Sequence, residues 1–67
     1  MTLAIYHVTC SADSERATIG VCADGKTEAA RIVRARVLSD GYQTFVHYGT
    51  KRVAGPGQWE PGTTIWY

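Results

Sequence analysis

Two segments rich in β-branched and aromatic residues open the chain, and they constrain its fold more than any other feature. Residues 3–10 (LAIYHVTC) and 17–23 (ATIGVCA) each have the composition of a β-strand. The six residues between them, 11–16 (SADSER), are polar and turn-forming. We therefore predict a β-hairpin with a loop of about six residues.

The alternation of side chains predicts the register of this hairpin. If Val8 pairs with Ile19 and Tyr6 with Val21, one face is apolar, whereas a slip of one residue would mix apolar and polar side chains on both faces. The face predicted to meet the core carries Ala4, Tyr6, Val8, Cys10, Ala17, Ile19, Val21 and Ala23. The opposite face carries Ile5, His7, Thr9, Thr18, Gly20 and Cys22.

The two cysteines fall on different faces in this register. Cys10 lies on the core face near the loop, and Cys22 lies on the other face beside Ile5. Along a strand they are ~17 Å apart, whereas a disulfide needs Cα atoms within about 7 Å. We expect free thiols, which are typical of a reducing compartment. Because the first residues also lack a basic secretory leader, the prediction is a cytoplasmic protein, in its own cell or in a host cell.

A single helix is predicted over residues 26–39, with Asp24 or Thr27 as its N-cap and Gly41 at its end. On a helical wheel, one face carries Ala29, Ala30, Val33 and Val37, with Ile32 at its side. The opposite face carries Arg31, Arg34 and Leu38. The helix should therefore pack its small apolar side chains on the sheet and present a basic face to solvent.

The rest of the chain is predicted to form strands at 42–48 and 63–67, with a short strand at 51–54 inside a Gly/Pro-rich loop. The third strand is predicted to direct Tyr42, Thr44, Val46 and Tyr48 at the helix. The predicted class is α+β, in the order β-β-α-β-(β)-β. This is a single antiparallel sheet of four to five strands with one helix packed on one face, forming one small domain over residues 1–67.

One helix can cover only one face of such a sheet. The other face is predicted to show Ile5, His7, Phe45 and His47, which is too apolar a set to be left in water without a reason. Small domains commonly gain stability from a partner. We therefore interpret these four residues as a self-association face, which would make a homodimer.

Catalytic and metal chemistry find little support in the sequence. His7, His47 and Cys22 lack the short spacings of a zinc site. No carboxylate accompanies His7 and Cys22 on their strand face, so a catalytic arrangement is missing. The prediction is a protein with no catalytic residue, metal or cofactor. No apolar run approaches the roughly 20 residues of a membrane span, so no membrane partner is expected.

The basic residues and one tryptophan form the predicted contact set, although the net charge is only +1. This set comprises Arg31, Arg34, Lys51, Arg52 and Trp59. Trp59 lies in the glycine-rich loop, where it either folds back as a lid or binds a partner, and the sequence favours neither. Cations interleaved with aromatic residues are typical of single-stranded nucleic-acid surfaces.

The opening hairpin with its Ser-Ala-Asp-Ser-Glu-Arg loop (11–16) and the Thr-Glu-Ala-Ala-Arg-Ile-Val helix start (27–33) resemble small phage-encoded β-β-α-β-β proteins. Among these are anti-CRISPR inhibitors. The resemblance covers residues 1–38 and implies a non-enzymatic protein-binding module, an inhibitor that sterically blocks a host nucleoprotein complex. The alternative, from the residues themselves, is a small single-stranded nucleic-acid-binding protein.

Overall fold

The computed structural model describes residues 3–55 and 59–67, which form one antiparallel sheet and one helix. In chain order the elements are β1 (Ala4–Ala12), β2 (Glu15–Ala23), α1 (Lys26–Ser39), β3 (Phe45–Ala54) and β4 (Thr64–Trp66). The strand order across the sheet is β3-β1-β2-β4. The predicted α+β class is confirmed. The short strand expected at 51–54 is the second half of β3.

The β1–β2 pair has the predicted register. Tyr6 pairs with Val21 and Val8 with Ile19, so alternate residues of both strands face α1 and are buried. The buried core beneath the helix consists of Ala4, Tyr6, Val8, Cys10, Ala12, Ile19, Val21, Ala23, Ala29, Val33 and Val37. Cys10 and Cys22 are both buried and free, and the register places them on opposite faces.

The connection between β1 and β2 is shorter than predicted. Pairing continues to Ala12 and Glu15, so only Asp13 and Ser14 remain as the turn. Both have left-handed backbones, with φ of 49° and 69°. Two such residues form a type I′ turn, whose twist matches that of the strands it joins. The prediction of a six-residue loop is wrong because the polar residues on either side of the turn are paired and extend the two strands.

Asp13 also ties this turn to the connection between α1 and β3. Its carboxylate accepts hydrogen bonds from the amides of Gln43 (3.0 Å) and Thr44 (2.9 Å) and from the Thr44 hydroxyl (3.1 Å). These donors, the Thr44 amide foremost, hold the pKa of the Asp13 carboxyl below its usual range. The ionised carboxylate therefore stabilises the folded state.

We expect the protein to lose stability in acid through Asp13. A carboxyl whose pKa is depressed by folding stabilises the protein above its unfolded pKa, near 3.9, and this contribution disappears as the pH falls through the lower folded value. The Asp13→Asn variant should therefore show a smaller loss of melting temperature than the wild type between neutral pH and about pH 3. Asp24→Asn, which removes a carboxylate without touching Gln43 or Thr44, is the control. Equal acid sensitivity of Asp13→Asn and wild type would contradict this role.

The helix has the predicted bounds, and Ala29, Val33 and Val37 are its buried residues. The predicted N-cap is wrong, since Gly25 occupies that position and no side chain of the described residues caps the first turn. Asp24 lies one residue too early to cap, and Thr27 is already inside the helix. At the other end Gly41 has φ of 102°, as predicted for a left-handed glycine after a helix.

The facing of β3 is opposite to the prediction. Phe45 pairs with Ala12 and His47 with Cys10, and both partners face α1. Phe45 and His47 therefore lie on the helix side. Tyr42 packs against the core, but Val46 and Tyr48 do not point at the helix. Alternation groups residues 45 and 47 together but does not say which group meets the helix, and pairing with Ala12 and Cys10 of β1 decides this.

Candidate binding surface on the open face of the sheet

The side of the sheet away from α1 is here called the open face. It carries the strand residues that lie between the core positions and therefore point away from α1, together with the side chains that contact them. These include Ser11, Val46 and Gly49 together with His7, Thr9, Arg16, Thr18, Gly20, Tyr48, Lys51, Trp59, Ile65 and Tyr67. Ile5 and Cys22 pair at one end of this face and are buried there.

Two aromatic rings pack against Gly20 in the middle of the open face. A Cβ built on Gly20 would lie 2.8 Å from Cε2 of Tyr67 and 3.3 Å from Cη2 of Trp59. The absence of a side chain therefore lets both rings lie directly on β2. Tyr67 also reaches His7 on β1, with ring centroids 4.9 Å apart. The sequence left the place of Trp59 open, and the structure puts it on the sheet as a cover for this face.

Backbone hydrogen bonds hold the C-terminal segment in this position. The amide of Cys22 donates to Thr63 O (3.1 Å), and the amide of Gly62 donates to Cys22 O (2.9 Å). Beyond β4, the amide of Tyr67 donates to Thr18 O at 2.8 Å. These bonds extend the contact of the three-residue strand β4 with β2, and they fix the backbone that carries the Tyr67 ring.

A second aromatic contact lies nearer the hairpin turn, where Arg16 pairs with Ser11. The guanidinium carbon of Arg16 is 4.8 Å from the centroid of the Tyr48 ring, which is a cation–π contact. Because β1 separates β2 from β3, this contact bridges β1. Tyr48 is 55% exposed and Tyr67 is 65% exposed, so both rings remain accessible to a partner.

The charged strand residues of the open face are all basic. Arg16 lies beside Tyr48, and Lys51 pairs with His7. Glu15, the acidic residue of β2, pairs with Ala12 and therefore faces the helix side. Glu60 follows Trp59 in the segment that returns to this face. Although the net charge of the chain is only +1, the strands therefore present an excess of positive charge on the open face.

The five predicted contact residues do not form one surface. Arg31 and Arg34 are exposed on the outer side of α1, where Arg31 forms an ion pair with Glu28. Lys51 lies on the open face, with Trp59. Arg52 pairs with Tyr6 and so faces the helix side of β3.

The predicted self-association face is likewise divided. Ile5 and His7 lie on the open face, whereas Phe45 and His47 lie on the helix side. His47 uses a ring nitrogen to hydrogen bond the Thr50 hydroxyl at 2.7 Å. The four residues therefore cannot act as one contiguous surface, and the same division separates His47 from His7 and Cys22. Within residues 3–55 and 59–67, no group of three His, Cys, Asp or Glu side chains could hold a metal ion.

The sequence does not identify Arg16 and Tyr48 as residues of this surface. The polar run 11–16 predicts a loop that contains Arg16, and the predicted facing of the third strand directs Tyr48 at the helix. A signal was present for Arg16, since alternation in the second strand, extended back from Thr18, places it on the open face. The position of Tyr67 depends on Gly20, and no local pattern records that contact.

Comparisons with protein-family models, with curated proteins and with solved structures give no match. Among the described residues the one helix, α1, has 14 residues, which are too few to span a membrane. Function is therefore inferred from the surface itself.

Proposed function

We propose that this chain is a non-enzymatic binding module that binds single-stranded nucleic acid on the open face. The observation that carries the proposal is the juxtaposition of accessible aromatic rings and cations, with no acidic residue of the described strands on that face. Unpaired bases stack on aromatic rings and on guanidinium planes, while cations contact the phosphates between them. The open face offers both kinds of contact within one layer of side chains.

Each residue has a distinct role in this proposal. The exposed rings of Tyr48 and Tyr67 stack bases at two separate positions on the face. Lys51, which is exposed beside His7, contacts phosphate. Arg16 supports the Tyr48 ring and supplies the second positive charge. Paired bases are already stacked inside a duplex and cannot reach these rings, so a single strand is the preferred ligand.

The outer face of α1 fits nucleic acid less well. It carries Arg31, Arg34 and Leu38, and the helix contains no aromatic residue. Glu28 already pairs with Arg31. This face could hold phosphates, but it offers no surface for stacking bases.

A second candidate function, steric inhibition of a host nucleoprotein complex, is favoured by that same outer helix face. Arg34 and Leu38 are exposed on a rigid element, which suits an interface with a central apolar contact and a basic rim. This is the anti-CRISPR-like role that the sequence resemblance implies. The two candidates use opposite sides of the molecule, so substitutions on one side discriminate between them.

The test is fluorescence anisotropy of labelled oligonucleotides at about 50 and 200 mM salt. We expect the single strand to bind and a duplex of the same sequence to bind much more weakly. Two phosphate contacts on a single strand correspond to a salt slope near −1.4, so the Kd should rise about sevenfold over this range. Absence of binding at the lower salt concentration would refute the proposal. Equal affinity for the duplex would refute stacking on Tyr48 and Tyr67.

A further inference from the structure

The outer edge of β3 is the longest strand edge that the described residues leave without a partner strand. β3 has ten residues and pairs with β1 on one side only, whereas β4 at the other edge has three residues. Three of its apolar side chains are exposed: Val46 (51%), Tyr48 (55%) and Val53 (42%). A long exposed edge of this kind is a template for pairing with another strand.

We propose that two copies of this chain pair through the outer edges of β3, in antiparallel orientation, so that two four-stranded sheets become one. Two-fold symmetry makes such an edge self-complementary, because each residue meets a partner position that meets it in return. The occupant of the edge is therefore a second copy of the same strand.

The facing of the β3 side chains selects the register of this pair. Paired residues must project on the same side of the joined sheet. An axis between Tyr48 and Gly49 satisfies this requirement, because each pair then joins residues that face the same way. The pairs are Phe45 with Arg52, Val46 with Lys51 and His47 with Thr50, each from opposite copies. An axis moved onto Gly49 would pair His47 with Lys51, which face opposite sides.

A β-bulge makes this register available. Cys10 of β1 pairs with His47 of β3, and the neighbouring Thr9 pairs with Gly49, so one step along β1 corresponds to two residues of β3. Tyr48 is the extra residue, and it reverses the alternation between the two halves of β3. Without it, Val46 and Lys51 would face opposite sides of the sheet.

The register also keeps like charges apart. Lys51 meets Val46 of the second copy, and Arg52 meets Phe45. Lysines usually protect an edge strand by repelling a like-charged neighbour, and here the two-fold pairing avoids that repulsion. Both helices would lie on one side of the joined sheet, and the two open faces would form one surface on the other.

The test compares Val46→Lys with Val46→Asp by light scattering over a range of protein concentrations, without nucleic acid. Both variants lose the same apolar side chain, but the new lysine would face the second copy's Lys51 and the new aspartate would pair with it. Each contact occurs twice per dimer, so the dimer dissociation constants of the two variants should differ by about tenfold or more. Wild type should approach twice the chain mass of 7.3 kDa.

Two further variants establish the register. Adding Lys51→Glu to Val46→Lys should restore the dimer by exchanging the charges. Ile65→Lys, at the opposite edge on β4, should leave the mass unchanged. Circular dichroism verifies that each variant folds. A wild-type mass of one chain at every concentration would overturn the proposal, as would equal dimerisation of the Val46→Lys and Val46→Asp variants. Because no oligonucleotide is present, this outcome is independent of nucleic-acid binding.

Discussion

Arg16→Glu combined with Lys51→Glu is expected to abolish the binding of single-stranded oligonucleotides. The two substitutions replace both strand cations of the open face by carboxylates, and each changes the charge by −2, so the net charge falls from +1 to −3. The phosphate contacts are then lost and replaced by repulsion. The Arg16 substitution also removes the cation that covers the Tyr48 ring. Both side chains are exposed, so the fold should persist.

Arg31→Glu combined with Arg34→Glu is the matched control for this experiment. It produces the same net charge of −3 on the outer side of α1. Its cost to the fold should be small, because the Arg31–Glu28 pair is exposed. Binding to oligonucleotides should weaken only slightly, through the long-range field. If the two double variants lose binding equally, net charge alone decides affinity and the open face is not the site.

The same pair of double variants tests the inhibitor hypothesis. A protein that blocks a nucleoprotein complex through α1 would lose activity with the Arg31 and Arg34 substitutions and keep it with the Arg16 and Lys51 substitutions. The readout is nuclease or nucleic-acid-binding activity of the purified complex in the presence of each variant. The opposite pattern would assign any inhibition to the open face.

Ile19→Ala is expected to cause the largest loss of stability from a single core substitution. Ile19 is fully buried in the core beneath the helix, with Val8 and Trp66 as its neighbours on the adjacent strands. Truncation of a buried Ile to Ala costs about 2–5 kcal/mol, whereas a 67-residue domain has a total stability of roughly 3–10 kcal/mol. The melting temperature should fall by roughly 10 °C or more. Thermal denaturation followed by circular dichroism measures this change.

The control for the core is Ile65→Ala. Ile65 is adjacent in the sheet to Gly20 but is 41% exposed, so the same truncation should cost much less. A similar loss for both variants would mean that the stability of the sheet does not reside in the layer beneath α1.

The core hairpin and helix could be predicted because their determinants are local. Alternation with period two fixes the pairing of Val8 with Ile19, and helical spacing selects Ala29, Val33 and Val37. The predicted hairpin loop is too long because a run of polar residues is typical of a loop, although polar residues also occupy exposed strand ends. Left-handed backbones at Asp13 and Ser14 leave only a weak trace in the sequence.

The candidate site could be predicted only in part. The presence of cations and aromatic residues was evident, and Lys51 and Trp59 were selected. The other aromatic residues of the site are positioned by contacts between distant segments. Tyr67 packs against Gly20, and Tyr48 contacts Arg16. The bulge at Tyr48 then changes the facing of half of β3, and a single inserted residue cannot be recognised from alternation that is otherwise regular.

The Asp13 hydrogen bonds have a consequence for the order of folding. The hairpin and the helix form from near neighbours in sequence, which is fast, whereas β3 must find β1 across a much longer chain separation. Asp13 lies at the tip of the hairpin, and its carboxylate holds Gln43 and Thr44 immediately before the first residue of β3. We infer that capture of this segment aligns Phe45 with Ala12, after which the remaining pairs can close in succession toward Ala54.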